Sequence, residues 1–163
     1  MNSQQKTKGF TIIEVVLVLA IAGLIFLMVF IALPALQKSQ RDTQRKSDIA
    51  RILTQITSSA SNNRGVIPAA LIVAGASGKS FVQNYLGGGS LTVAGADYTD
   101  PTTGTGYTFL TTGTVVAKAG DIGYKNGNIC GADGAMTGAG TARQFALTVF
   151  LESQLAPYCV DNR

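Results

Sequence analysis

The chain has no histidine among its 163 residues, and only 13% of them are charged. Without an imidazole there is no side chain tuned for acid–base work near neutral pH, and most transition-metal sites lose their commonest ligand. Cysteine is nearly as scarce, with Cys130 and Cys159 the only two. A thiol nucleophile would lack a histidine to activate it. Nor does the Gly-rich stretch before residue 95 form a phosphate cradle. Gly78-Lys79-Ser80 has Val73 where a Walker loop needs its first glycine. The acids of the C-terminal part, Asp97, Asp100, Asp121, Asp133, Glu152 and Asp161, are spread among turn-like segments without a partner set. No catalytic residue, cofactor or metal site is expected, and a membrane-anchored enzyme or binding head is a distant alternative.

Apolar residues dominate instead, at 46% of the chain. The length suits one modest domain plus a membrane segment. Residues 15–33 carry no charge. As a helix rising about 1.5 Å per residue this run covers roughly 29 Å, close to the hydrocarbon thickness of a bilayer. A secretory signal peptide would be shorter and would close on a small-residue cleavage site. Here the run continues into a polar helix, so the segment is expected to be retained. One acid, Glu14, stands at its start. An ionised carboxylate in hydrocarbon costs about 2.5–3.5 kcal/mol on insertion scales, so Glu14 needs a partner.

Net charge is +4, and Lys6 and Lys8 in the polar leader supply two of the positive charges, so loss of the leader leaves +2. That is too little to argue for nucleic acid, which stays a partner without support.

Lys8 followed by Gly9-Phe10-Thr11-Ile12-Ile13-Glu14 and then the apolar run resembles the prepilin cleavage and methylation motif of type IV pilins and their relatives. The resemblance implies cutting between Gly9 and Phe10 by a membrane prepilin peptidase, methylation of the new Phe10 amine, and retention of the whole apolar helix. Glu14 then becomes the fifth residue of the mature chain, where the family keeps an acid. The Phe10 amine of a neighbouring copy is its expected partner, a pair that would set the axial register of subunits.

The implied protein is a non-enzymatic subunit held in the membrane with its head outside. It is later packed with other copies of itself into a helical extracellular filament by pilus assembly machinery. Adhesion, twitching motility and DNA uptake are the roles the family offers. A pseudopilin of a type II secretion or competence machine is the alternative. The positive-inside count opposes this orientation, because Lys38, Arg41, Arg45, Lys46 and Arg51 follow the span and only two lysines precede it. The leader motif and the cysteines outweigh that count.

Gly23 and Pro34 weaken the helix, and the stretch between them is the expected place for a bend or for unwinding in the filament. The family's proline usually lies three residues earlier, where Ile31 stands. Beyond Pro34 the pattern predicts an amphipathic helix to about residue 61. Ile49, Ile52, Leu53, Ile56 and Ala60 face a globular head, and the lower turns are exposed, with Asp42 and Lys46 spaced to pair.

A short helix is expected over 79–86, ending at Gly87-Gly88-Gly89. Strands are expected over 107–110, 114–118, 122–125 and 142–152, with turns at Thr112-Gly113 and Asn126-Gly127. The fold class is therefore α+β: a long N-terminal helix packed on an antiparallel β-meander head. Its expected parts are a leader (1–9), a transmembrane or filament-core half-helix (10–36), an amphipathic half-helix (37–63) and the head (64–163).

The segment 97–104 has oxygen ligands suited to Ca²⁺, as some secretion pseudopilins do, but Asx-turn chemistry explains its composition more simply. If bonded, Cys130 and Cys159 close a loop worth about 3.5 kcal/mol in the chain-entropy account. That pairing resembles the disulfide-bounded C-terminal region of many type IV pilins, and it requires an oxidising, extracytoplasmic location.

Overall fold

The computed structural model describes residues 9–72, 78–110 and 116–163. The chain divides into two compact units, one ending at Gln37 and the other starting at Lys38.

The first unit is the apolar part of α1, which spans Ile12–Asn62. A near-continuous set of aliphatic and aromatic side chains leaves it no polar face, so it cannot sit half-buried on a soluble core. Every large apolar side chain from Phe10 to Leu36 is exposed, and none of its most apolar 18-residue window is buried. The helix continues through both Gly23 and Pro34. Leader residues 1–8 lie outside the described residues.

The second unit is built around the other half of α1. Ile49, Ile52 and Ile56, at spacings of three and four, are fully buried against one face of a four-stranded sheet. That face is supplied by Phe109 from β1 (Thr108–Leu110), Ile122 and Tyr124 from β2 (Asp121–Asn126), and Phe145, Leu147, Val149 and Leu151 from β5 (Phe145–Leu151). Tyr158 and Val160 of β6 (Ala156–Asp161) pack on its edge. Alternation with a period of two places these residues on one side.

The short helix α2 (Phe81–Tyr85) begins at Ser80, whose hydroxyl accepts from the Gln83 amide while the Gln83 side chain accepts from the Ser80 amide. This reciprocal cap fixes where it starts. It ends before Gly87, whose φ of 63° only glycine adopts cheaply.

The sheet order is β1-β2-β5-β6, and a separate hairpin joins β3 (Ile129–Cys130) to β4 (Met136–Thr137). The head is α+β and antiparallel-rich, as the sequence implies, but it departs from a plain meander in three ways. First, β1 pairs with β2 in parallel, Thr108 opposite Asp121. The long connection between them permits a crossover where a tight turn would have forced antiparallel pairing. The turn expected at Thr112-Gly113 lies outside the described residues. So does the start of the strand expected over 114–118, and residues 116–118 are not strand.

Second, Asn126-Gly127 leads into the inserted β3–β4 hairpin, and β2 pairs with the more distant β5. The strand expected over 142–152 starts only at Phe145, because Thr141 and Gln144 close a turn. Third, β6 was not anticipated. Pro157 hides it, and proline is tolerated there because β6 is an edge strand. Cys130 and Cys159 form a disulfide with Cα atoms 5.7 Å apart, which ties β3 to β6.

Core geometry makes one demand that can be measured directly. Ile52→Ala is expected to lower the unfolding free energy of the second unit by about 2–5 kcal/mol. Denaturant titration of the full chain in detergent micelles, followed by near-ultraviolet circular dichroism, checks it. A loss below about 1 kcal/mol would mean that Ile52 does not bridge helix and sheet.

Candidate functional site

Two constellations stand out, one in each unit. In the first, Gly9, Phe10 and Thr11 precede the helix in non-helical conformation, and Phe10 is 89% exposed. A peptidase needs an accessible bond outside regular structure, and Gly9–Phe10 has both properties. Thr11 caps α1. Its amide and its hydroxyl each donate to Glu14 Oε2 at 2.8 Å, and the Glu14 amide donates back to Thr11 Oγ1 at 3.4 Å. This is a capping box, in which the Glu14 carboxylate accepts from the Thr11 amide and the Thr11 hydroxyl oxygen accepts from the Glu14 amide, so two orphan donors at the helix start are satisfied reciprocally.

Glu14 is therefore not stranded within its own chain, as the reading of an isolated acid in hydrocarbon implied. Oε2 is engaged, and Oε1 has no partner among the described residues. Sequence reasoning missed Thr11, although Thr-x-x-Glu ahead of an apolar run is the signal for this cap.

The second constellation lies at the Lys38 end of the second unit, around the fully buried Arg45. Its Nε donates to Asp100 Oδ2 at 2.7 Å, and Nη1 donates to Asp42 Oδ1 at 3.0 Å. Nη2 donates to Thr102 Oγ1 at 2.7 Å and to Glu152 Oε1 at 2.6 Å. Arg41 adds a bond from Nη2 to Glu152 Oε2 at 2.6 Å. Thr102 also hydrogen-bonds Glu152 through its hydroxyl.

Asp42 does further work on the β5–β6 turn, accepting from the Glu152 and Ser153 amides at 2.9 and 2.8 Å. Three segments, α1 itself through Asp42, the loop of Asp100 and Thr102, and the turn at Glu152, thus converge on one guanidinium. Its planar array of donors suits such a set, and the charge needs partners at this depth.

The surroundings tune each group. The bond from Arg41, helped by Thr102 and Arg45, outweighs burial and pulls the Glu152 carboxyl down to about 2. Burial pushes Asp100 upward, but Arg45 and the Thr102 and Thr103 amides more than offset it and leave its pKa below the usual range. Asp42 behaves alike, with burial overcome by the Ser153 and Glu152 amides and Arg45. Nearby Asp48 goes the other way. Burial raises it despite bonds from the Tyr107 hydroxyl and Arg51.

These contacts correct several expectations. The lower turns of the polar half-helix are not simply exposed, because Asp42, Arg45 and Asp48 are buried. Asp42 pairs with Arg45 instead of Lys46, whose ammonium lies 5.0 Å from the centre of the Tyr158 ring. Asp100 and Glu152 do have a partner set. In the 97–104 segment, Asp100 Oδ1 accepts from the Thr102 and Thr103 amides, and Arg45 already supplies the cation that the carboxylate faces. Among the described residues no three His, Cys, Asp or Glu side chains gather to hold a metal.

Residues 4–30 match the prokaryotic N-terminal methylation motif, the signature of type IV prepilins and pseudopilins. No curated protein and no solved structure matches the chain. The motif, the exposed apolar helix and the α+β head define a pilin-like architecture. The motif implies a structural subunit, and with the apolar helix it fits anchoring in a membrane before assembly.

The Arg45 cluster yields two expectations. Removing the guanidinium strands buried carboxylates, so Arg45→Ala should destabilise the second unit by roughly 3–5 kcal/mol in chemical denaturation, and an unchanged midpoint would contradict the cluster's role. Glu152 has a depressed pKa in the folded state. Its contribution is fully present above the ordinary value of 4.5 and is lost as pH falls through about 2. In an acid titration the native chain should therefore lose stability more steeply across that window than Glu152→Gln, whereas parallel curves would show that Glu152 is not held by Arg41 and Arg45.

Proposed function

We propose that this chain is a structural subunit of a type IV pilus, stored in the membrane and then polymerised into an extracellular filament. The observation that carries this reading is the methylation motif joined directly to an apolar helix with every large side chain exposed. Such a surface needs lipid first and other helices later.

In this reading residues 1–9 are a leader removed between Gly9 and Phe10, and Phe10 is N-methylated. Residues 10–36 span the membrane and then form the filament core. Residues 37–63 carry the head, 64–163. Thr11 holds Oε2 of Glu14, leaving Oε1 to face the Phe10 amine of an adjacent copy. The stretch between Gly23 and Pro34 is where the helix unwinds on polymerisation. Partners are further copies of the chain, a prepilin peptidase and the assembly machinery. Adhesion, twitching motility and DNA uptake are all compatible outputs.

Pseudopilins of secretion and competence machines carry the same motif, which makes one of them the second reading. The Cys130–Cys159 disulfide supports the pilus, because such a bridge is typical of pilins and uncommon in major secretion pseudopilins.

Mass spectrometry of purified surface filaments decides between them. A major subunit beginning with N-methylated Phe10 supports the pilus, and a processed chain that never enters abundant filaments supports the pseudopilin. Glu14→Ala should leave insertion and processing intact while cutting filament yield about tenfold or more, the loss of one ion pair worth at least 1.4 kcal/mol per subunit. A normal yield would remove the pairing.

A further inference from the structure

The β3–β4 hairpin is too small to hold itself in place. Each strand has two residues, and a lone ribbon of that length is not stable in water. Ile129 pairs with Thr137 and Cys130 with Met136, and the Gly131 amide donates to the Ala135 carbonyl across the turn. Because backbone groups alternate sides along a strand, Cys130 turns its own amide and carbonyl away from β4.

Both groups are met by side chains at and just beyond the end of β6. The Cys130 amide donates to Asp161 Oδ2 at 2.7 Å, and Arg163 Nη2 donates to the Cys130 carbonyl at 3.0 Å. Arg163 Nε donates in turn to Asp161 Oδ2 at 2.9 Å. Carboxylate, guanidinium and the backbone of Cys130 thus close a ring. Burial pushes the Asp161 carboxyl up, but the Cys130 and Arg163 amides and the Arg163 guanidinium more than offset it and hold its pKa below the usual range.

The ring has its own foundation in the sheet. Asp161 stands in the β5–β6 ladder opposite Ala146, and Asn162 accepts from the Phe145 amide at 2.8 Å and donates to the Arg143 carbonyl at 2.9 Å. None of these bonds passes through sulfur. Cys159 lies two residues before Asp161 on the same strand, so the two side chains share a face. Whatever Asp161 holds is therefore held beside Cys159.

We propose that Asp161 and Arg163 are positioning residues for oxidation of the cysteines: they dock the β3–β4 hairpin on β6 before the disulfide exists and present Cys130 to Cys159. The oxidant is a disulfide compound. One cysteine thiolate attacks a sulfur of that disulfide, forming a mixed disulfide and expelling one oxidant thiolate. The second cysteine, deprotonated, attacks the protein sulfur of the mixed bond and expels the other. The chain gives up two electrons and two protons, and the oxidant leaves as two thiols. An undocked hairpin would have to close 29 residues of chain by chance encounter, at an effective concentration on the order of millimolar. The clamp removes that search.

Two measurements on the full-length chain in detergent micelles test this. In the first, the ¹⁵N-labelled chain is reduced with a phosphine and amide hydrogen exchange is followed, with the Leu147 amide of β5 reporting on the sheet. The Cys130 amide is expected to stay protected about tenfold or more over an unstructured peptide. Loss of that protection on reduction, alone or together with Leu147, overturns the proposal. In the second, the mixed disulfide with glutathione is formed and its closing step is timed. Arg163→Ala and Asp161→Ala are expected to slow closing roughly tenfold, as loss of a charge-assisted hydrogen bond implies, while Arg143→Ala, the loss of another exposed cation, leaves it unchanged. Where Asp161→Ala loses the sheet, Arg163→Ala decides, because its guanidinium is half exposed and lies outside the ladder. A change below twofold in Arg163→Ala overturns the clamp. Equal slowing in Arg163→Ala and Arg143→Ala assigns the effect to net charge and overturns it as well.

Discussion

Between Phe10 and Leu36 the chain presents an apolar surface with no polar side to turn outward, and water is the solvent in which that surface cannot remain. At about 25 cal/mol per Å², exposing a run of large side chains costs more than the whole net stability of an ordinary domain. The other features of the first unit are arranged around that constraint. The helix satisfies its own backbone, as any segment in hydrocarbon must. Its first turn is closed by Thr11 and Glu14, so the donors most exposed to desolvation are already bonded. The acid that looks like an intruder in the run thus begins as a helix cap.

The second unit handles charge in a complementary way. Arg45 is buried among Asp42, Asp100 and Glu152, an arrangement that gains little over a hydrophobic alternative in net stability but tolerates few other geometries. It fixes the 97–104 loop and the β5–β6 turn to the same point on α1. The oxygens of that loop are gathered by a guanidinium from the helix. The disulfide between β3 and β6 performs a similar service for the inserted hairpin, through a bond instead of a charge.

Much of this was legible because it is local. The isoleucines at 49, 52 and 56 declare a packed helix face by their spacing, and the short helix expected over 79–86 forms as α2 ahead of the glycines that stop it. The Thr11–Glu14 cap was equally local and was missed because the acid was weighed only against hydrocarbon. What could not be read is long-range. Asp100 and Glu152 lie 55 and 107 residues from Arg45, and nothing in their immediate neighbourhoods marks them as partners. The parallel pairing of β1 with β2 depends on the path of the connection, and β6 carries a proline that argues against a strand unless its edge position is known.

The central claim is that Glu14 exchanges a purely local cap for a bridge between copies, with Thr11 on one oxygen and the Phe10 amine of a neighbour on the other. Filaments assembled from a mixture of two differently labelled subunit pools test it most directly, with ¹⁵N in phenylalanine of one pool and ¹³C in the glutamate carboxylates of the other. Solid-state magnetic resonance then reads only contacts between copies. The account predicts a cross-peak between the Phe10 amine nitrogen and the Glu14 carboxylate carbon at ion-pair distance. Its absence from well-ordered filaments, with Glu14 bonded to Thr11 alone, would contradict the account.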